Sequence, residues 1–419
     1  MRILQISARL PWPLTDGGAI GIFHLARSAH EAGHDVTFLS FRLDDEAVTR
    51  DAIVALSKFC DVRLVSRALP SRKSTLIRTL FRGAYPIERR MMPEMYELIA
   101  KTIAEKQFDV VHLDHSHVGK YGRWIKATYD LPIVLRQHNF ETVIYERFAS
   151  TEKNIFKRAL GKMHGRRLRT EERAILNDVD AVAAITDQDV MLMKEEAPRA
   201  NYFVIPAGVD TSFFQPGPED AIDHHTILWV GGIEWDPNRD ALDYFLRLIF
   251  PLILEQEPGA RLDVIGSGTQ MFAKLASPLG AAVRLHGKVP DIRKYLAAAG
   301  VLVVPLRVGG GMRVKLLEFF ASGKVVVSTS IGAEGNLARD GVEIELRDDP
   351  LEFALAVVEL MRSPEKVRML GAAARTLAEN EYGWPGVASR FTKVYESVVM
   401  SHQERILLNS VDRSTNPLS

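Results

Sequence analysis

Pro305-Leu306-Arg307-Val308-Gly309-Gly310-Gly311-Met312-Arg313-Val314-Lys315-Leu316-Leu317-Glu318-Phe319-Phe320-Ala321-Ser322-Gly323-Lys324 decides how this chain is read. The apolar run Val301 to Pro305 reads as a buried strand, three glycines follow it, and a helix begins after them. Free backbone N–H groups at a helix start form a ready anion site. Arg313 and Lys315 add positive charge at the end of the helix where the dipole disfavours it, which points to an anionic ligand. Glu318 is the only carboxylate in the first two turns. A carboxylate at that distance can grip a sugar diol while the amides of Gly310, Gly311 and Met312 hold phosphate. The combination suggests a nucleoside diphosphate. The ordinary alternative is a strand–loop–helix turn that binds nothing, with Glu318 in a structural salt bridge.

The rest of the chain sets limits. At 419 residues it suits two domains rather than one core. Apolar residues make up 47% and charged residues 25%, as in globular proteins, and the formal net charge of zero argues against nucleic acid as a partner. The single cysteine, Cys60, rules out an internal disulfide or a Cys-rich metal site and fits a reducing cytoplasm. The first residues read as a strand rather than a signal peptide, and no apolar run is long enough to span a bilayer.

Short, near-continuous apolar runs alternate with helical periodicity. The first set is Ile3–Ser7, Val36–Ser40, Val62–Val65, Val110–Leu113, Ile133–Arg136, Ala181–Ile185 and Tyr202–Ile205. The second is Ile227–Val230, Leu262–Ile265, Val283–Leu285, Leu302–Pro305 and Val325–Ser328. Such strands are buried on both faces, so the fold class is α/β with two doubly wound parallel sheets facing across a cleft. The Pro- and Gly-rich segment from Ile205 to Pro218 marks the linker. The expected domains are 1–209 on the acceptor side and 210–384 for the nucleotide sugar. A helix over 385–400 returns to the first domain, and 401–419 forms a loosely ordered polar tail.

With these pieces in order, the chain resembles the family 4 glycosyltransferases of the GT-B fold over roughly residues 1–400. Ile205-Pro206-Ala207-Gly208-Val209-Asp210 looks like the family hinge, and Val230-Gly231-Gly232 stands where the family has Val-Gly-Arg. Gly17-Gly18 follows the first strand and His138-Asn139 the fifth, as in the family. Gly310 replaces the first of two paired glutamates, and only Glu318 remains. The arginine at Gly232 and a lysine soon after it are also missing, which leaves Arg239, Arg313 and Lys315 as cations for a diphosphate. This resembles a branch with a Gly-rich segment in place of the first glutamate, associated with surface or exopolysaccharide assembly.

The resemblance implies a retaining, metal-independent enzyme with no cofactor. It would move a sugar from a nucleoside diphosphate sugar to a glycan or lipid-linked acceptor. It implies Glu318 for ribose and Arg239, Arg313 and Lys315 for diphosphate, with Gly310, Gly311 and Met312 alongside. It places His138 at the donor sugar and the base near Val289. Gly17 and Gly18 permit close backbone approach to a ligand. Asp114, in the polar cluster Leu113-Asp114-His115-Ser116-His117, would meet the acceptor. The His-x-His in that cluster suggests zinc, but no third ligand is spaced nearby in sequence, so that reading is set aside. Asp187-Gln188-Asp189 reads as acids in the first turn of a helix capped by Thr186 rather than as a metal pair.

Two basic segments stand out: 67–90 with seven cations and one acid, and 153–173 with eight cations and two acids. They suit peripheral contact with the inner face of the membrane, or equally a solvated helix surface. Two other functions fit the missing glutamate and cations: a non-catalytic nucleotide-sugar-binding subunit of a polysaccharide assembly complex, or a sugar-nucleotide epimerase.

Overall fold

The computed structural model describes residues 1–14, 17–71, 75, 79, 83–143, 145–146, 154–309 and 311–415. The chain divides into two units, Met1–Pro206 with Val387–Ser419, and Ala207–Gly386. Each unit is built on its own parallel sheet with helices packed against it.

The first sheet holds β1 (Arg2–Ser7), β2 (Asp35–Arg42), β3 (Asp61–Ala68), β4 (Val110–Asp114), β5 (Ile133–Gln137), β6 (Ala181–Ala184) and β7 (Tyr202–Val204). Their order is β3-β2-β1-β4-β5-β6-β7. β4 and β5 are buried along their whole length, as expected of apolar strands covered on both faces. The chain leaves β1 in one direction across the sheet and β4 in the other. That makes the carboxyl ends of β1 and β4 a topological switch point, where ligands of such sheets bind. Register sharpens this: Ser7 pairs with Asp114, and Asp114 with Arg136, so the loops after β1, β4 and β5 emerge side by side.

The second sheet holds β8 (Asp223–Val230), β9 (Arg261–Ile265), β10 (Val283–Gly287), β11 (Ala299–Val304), β12 (Val326–Ser328) and β13 (Glu345–Leu346). Their order is β10-β9-β8-β11-β12-β13, with the switch point between β8 and β11. Trp229 pairs with Val303 there and is buried at the centre of that core.

The helices that matter for function are α1 (Gly17–Glu31), α2 (Ile155–Asp178), α3 (Asp187–Glu196), α4 (Asp236–Tyr244), α5 (Val314–Ala321) and α6 (Trp384–Thr415). Leu316, Leu317, Phe319 and Phe320 of α5 are fully buried and fix that helix on the second sheet. α6 corrects one expectation: it does not stop near Met400 but continues as one helix to Thr415. Between Val387 and Thr415 there is no glycine or proline to break it, and polarity alone does not unwind a helix.

The basic segment 153–173 lies partly outside the described residues, and its described part belongs to α2. Leu168 is in the core, Met163 is half-buried, and Ile155 is exposed. Arg169 pairs with Glu146 and Glu196, and Arg167 donates to the Thr79 carbonyl. The apolar side of this segment faces protein, while Arg158, Lys162, Arg166 and Arg173 stay exposed. The segment 67–90 is also only partly described. Among the described residues no helix is long and apolar enough to cross a membrane.

α6 is tied to the first sheet through a buried polar contact. Phe391 and Tyr395 pack edge-on against His112 of β4, and the Tyr395 hydroxyl lies 2.8 Å from His112 Nδ1. His112 Nε2 is 3.2 Å from the Asp114 carboxylate, so Nε2 carries the proton and Nδ1 accepts from the tyrosine. Tyr395→Phe leaves that buried acceptor unpaired. It should cost about 1–3 kcal/mol, read as a lower urea midpoint at unchanged slope. An unchanged midpoint would mean that the rings alone hold the helix.

Candidate functional site

The second unit brings Arg313, Lys315 and Glu318 together at the carboxyl end of β11. Arg313 occupies the N-cap position of α5 with extended backbone angles, so it precedes the helix and is not bound by its face periodicity. Its guanidinium is buried and lies 5.2 Å over the Trp235 ring. Gly309, at φ 150°, lets the loop fold over it: a Cβ there would stand 2.3 Å from Arg313 Nη2. Gly311 also has positive φ, at 77°, and Met312 is half-buried beside it. Gly310 lies outside the described residues.

Lys315 points across the switch point onto β8. Its Nζ donates to the Val230 carbonyl at 2.9 Å and to Asn238 Oδ1 at 3.4 Å, over the Trp229 ring at 5.6 Å. Burial first, and then the Arg313 charge, pull its ammonium down to about 7 against the opposing pull of Glu318. Burial likewise pushes Glu318 up to about 7 against the pull of Lys315. These two groups each hold the other's charge in a place that disfavours charge, and perturbation of this kind is typical of ligand sites. Asn238, from the first turn of α4, also donates to the Gly232 carbonyl and so links Lys315 to the loop after β8. Nothing in the local sequence marked Asn238, because its partner is 77 residues away.

Arg239 goes elsewhere. Its guanidinium pairs with Asp236 at 2.8 Å and donates to the Ile233 carbonyl at 3.1 Å. It lines a cavity of about 740 Å³ together with Asp236, Asp240, Asp243 and Arg247. Three carboxylates suit a diphosphate poorly. Val289 is half-buried in the loop after β10.

On the first unit, Asp114 requires a correction. It is wholly buried, so it cannot meet an acceptor directly. Its carboxylate accepts from Gln5 Nε2 at 2.5 Å and His112 Nε2 at 3.2 Å, and lies 3.5 Å from Arg136 and 3.9 Å from His138. Burial pushes it up, but His112, His138 and Arg136 outweigh burial and hold it well below the usual carboxylate range. It is a buried anion that positions its neighbours. Burial and the Arg136 charge pull His138 down to about 4 against Asp114, so its imidazole is neutral near pH 7. Gly17 and Gly18 open α1, which lies close over the same arginine: a Cβ on Gly21 would stand 2.8 Å from Arg136 Nη2.

The loops after β4 and β5 also meet. His115 stands at φ 85°, ψ 144°, a strained conformation for a side-chain-bearing residue. Its Nε2 lies 3.1 Å from Glu141, and His117 Nε2 lies 3.9 Å from the other oxygen of that carboxylate. The ground for setting zinc aside therefore fails, because the fold supplies a third ligand that sequence spacing does not. Burial, His115, Arg90 and His138 all hold the His117 imidazole well below its ordinary pKa. Behind this group, Glu172 of α2 accepts from Ser116 Oγ, Gln137 Nε2, Glu141 N and both the N and Oγ1 of Thr142. At Asp187–Asp189, Thr186 Oγ1 accepts from Asp189 N and donates to its carboxylate, which makes the segment a helix cap.

Comparison with known proteins covers both units. Residues 15–213 match the Glycosyltransferase Family 4 model, and residues 224–363 match that of Glycosyl transferases group 1. An uncharacterized 44.6 kDa protein of the Klebsiella pneumoniae cps region is 22% identical over 94% of this chain and 99% of its own. The D-inositol 3-phosphate glycosyltransferase of Thermobispora bispora is 28% identical over 69% of this chain and 70% of its own. The phosphatidyl-myo-inositol mannosyltransferase of Mycobacterium leprae is 26% identical over 74% and 79%. Among solved structures, sucrose-phosphate synthase from Thermosynechococcus elongatus superposes with a TM-score of 0.70 at 16% identity, covering 96% of this chain and all of that one. Anabaena HepE in complex with UDP superposes at 0.66 and 15% identity, over 95% of this chain and 100% of its own. These two likenesses speak to the fold.

The Glu172 network yields a test. Burial pushes this carboxyl up toward about 7, with the Thr142 bonds opposing. Five donors aimed at its two oxygens favour the ionised form. Glu172→Gln replaces one acceptor by an NH₂ group facing donors. It should cost on the order of 2–3 kcal/mol in urea unfolding at pH 7. A near-neutral effect would mean that the carboxyl is protonated in the folded protein.

Proposed function

The chain is a glycosyltransferase with the GT-B fold, and we propose that it carries a sugar from a nucleoside diphosphate sugar to a glycan or glycolipid acceptor in surface or exopolysaccharide synthesis. The observation that carries the donor assignment is the half-buried Lys315 and Glu318 at the switch point of the second sheet, with Lys315 Nζ on the Val230 carbonyl and each group driven toward its neutral form. Glu318 accepts from the ribose diol. Lys315 and Arg313 face the diphosphate with the amides of Gly310, Gly311 and Met312, and Val289 lies toward the base. Arg239 joins them only by leaving Asp236. His138, neutral and held by Asp114, contacts a donor-sugar hydroxyl, and Gly17 and Gly18 leave room at the first-unit loop. The relatives named for inositol-lipid acceptors and the cps-region relative support the acceptor class. Where the acceptor is lipid-linked, the enzyme works peripherally at the inner face of the membrane.

The reaction runs by departure of the diphosphate and attack of the acceptor hydroxyl on the same face, so anomeric configuration is retained. Negative charge grows on the leaving diphosphate as the sugar bond breaks. Burial disfavours Lys315 as a cation, and the growing anion restores its charge where it is needed most. The leaving group is thus met by cations of the chain itself.

Glu318→Ala should weaken binding of the preferred nucleotide, found by titrating UDP, GDP and ADP in turn. Losing charge-assisted bonds to a diol costs about 1.5–3 kcal/mol, roughly ten- to a hundredfold in affinity. Unchanged affinity in a folded mutant would remove Glu318 from the site.

Arg313→Ala and Lys315→Ala should lower turnover more than they lower nucleoside monophosphate affinity, and the double mutant should lower it furthest. The measurement is sugar transfer to a crude membrane acceptor. If both mutants and their combination turn over like the parent, the diphosphate is held elsewhere, with Arg239 the next candidate. Sugar conversion without any acceptor would instead indicate an epimerase.

A further inference from the structure

We propose that His115, His117 and Glu141 form a binding site for a divalent transition metal of the zinc class on the first unit. This does not depend on the role given to Glu318. One nitrogen from each histidine and one oxygen of Glu141 all lie within 4.8 Å of one another. Tetrahedral zinc, with bonds of about 2.0–2.2 Å, holds its ligand atoms roughly 3.3 Å apart. His115 Nε2 is already 3.1 Å from Glu141, and His117 Nε2 is 3.9 Å from it.

The backbone explains why these residues meet. β4 and β5 pair with Asp114 opposite Arg136, so residues 115–117 and 138–141 leave adjacent strand ends in the same direction. Among the described residues His117 Nε2 has no hydrogen-bond partner, although it is buried. The two rings lie face to face, 3.8 Å apart at 30°. A metal has to swing the His117 ring out of this stack, and no hydrogen bond to Nε2 resists that.

An outer layer is also in place. Ser116 Oγ lies 3.4 Å from His115 Nδ1 and donates to Glu172, which accepts as well from the backbone N–H of Glu141. His115 Nδ1 accepts from the His117 backbone N–H at 3.4 Å; with the metal on Nε2 it takes up the proton, gives up that bond and donates to Ser116 Oγ instead, the arrangement that orients ligating histidines. One cation opposes the metal: Arg90 faces Glu141, but its guanidinium is committed to the carbonyls of Ala8 and Pro86. The three side chains keep 13–15% of their surface exposed, so an ion can enter. Three protein ligands leave a fourth position for water or an oxygen of the acceptor.

The test uses the full chain, stripped with a chelator and titrated with zinc against a chromogenic competitor, then with cobalt(II) for its d–d absorption. One metal per chain is expected, with two imidazoles and a carboxylate in the zinc X-ray absorption spectrum of the parent. His117→Gln and Glu141→Gln should each weaken binding at least tenfold. Ser116→Ala should weaken it by about tenfold through the outer layer, and His225→Gln should leave it unchanged. Thermal melts establish that each variant is folded. Equal zinc affinity in parent and folded variants, or a parent spectrum without this ligand set, would show an adventitious ion only and overturn the site.

Discussion

An ammonium group placed against the end of a strand organises the second unit. Lys315 Nζ sits on the carbonyl of Val230, the last residue of β8, while its own helix starts from β11. It therefore bridges the two strands between which the topology of that sheet reverses. A buried charge is costly unless it is paired, and here the nearby carboxylate is itself driven toward its neutral form by burial. Such a pair contributes little to folding that a hydrophobic pair could not. It has value when a ligand brings its own anion and its own hydroxyl donors. A nucleoside diphosphate is a ligand of that chemistry, with phosphate oxygens and ribose hydroxyls in one molecule.

The first unit solves the opposite problem. Asp114 is an anion buried at the carboxyl end of β4, and Gln5, His112, Arg136 and His138 converge on it. Arg136 and His138 gain fixed positions from this, and Tyr395 extends the network to α6. A mutation in the last helix can therefore reach His138 through a chain of packed polar groups. Glu172 performs a similar task one layer out, gathering the donors of the loops after β4 and β5.

The strands were legible in the sequence because each is a short run of apolar residues buried on both faces, and such runs admit few other readings. β13 escaped because two residues, Glu345 and Leu346, carry no periodicity, and its Glu345 is held by Arg347 and Lys366 rather than by apolar packing. The helix start after the glycines and the gathering of Arg313, Lys315 and Glu318 near it followed from local sequence. Asn238, Arg136 and Glu141 did not, since each acquires its importance from strand register or from a residue far away in sequence. Arg239 shows the same limit from the other side. It is close in sequence to the glycine-rich loop after β8, yet Asp236, three residues before it, captures its guanidinium. The C-terminal helix runs on through residues whose polarity suggests disorder, because a long stretch without glycine or proline can stay helical on its own propensity.

The most direct measurement is a crystal structure of the protein with its preferred nucleoside diphosphate. The expected arrangement has the ribose hydroxyls on the Glu318 carboxylate and diphosphate oxygens within hydrogen-bonding distance of Lys315 Nζ and the Arg313 guanidinium. Diphosphate density in the cavity beside Arg239, with Lys315 still resting on Val230 and Glu318 untouched, would contradict it.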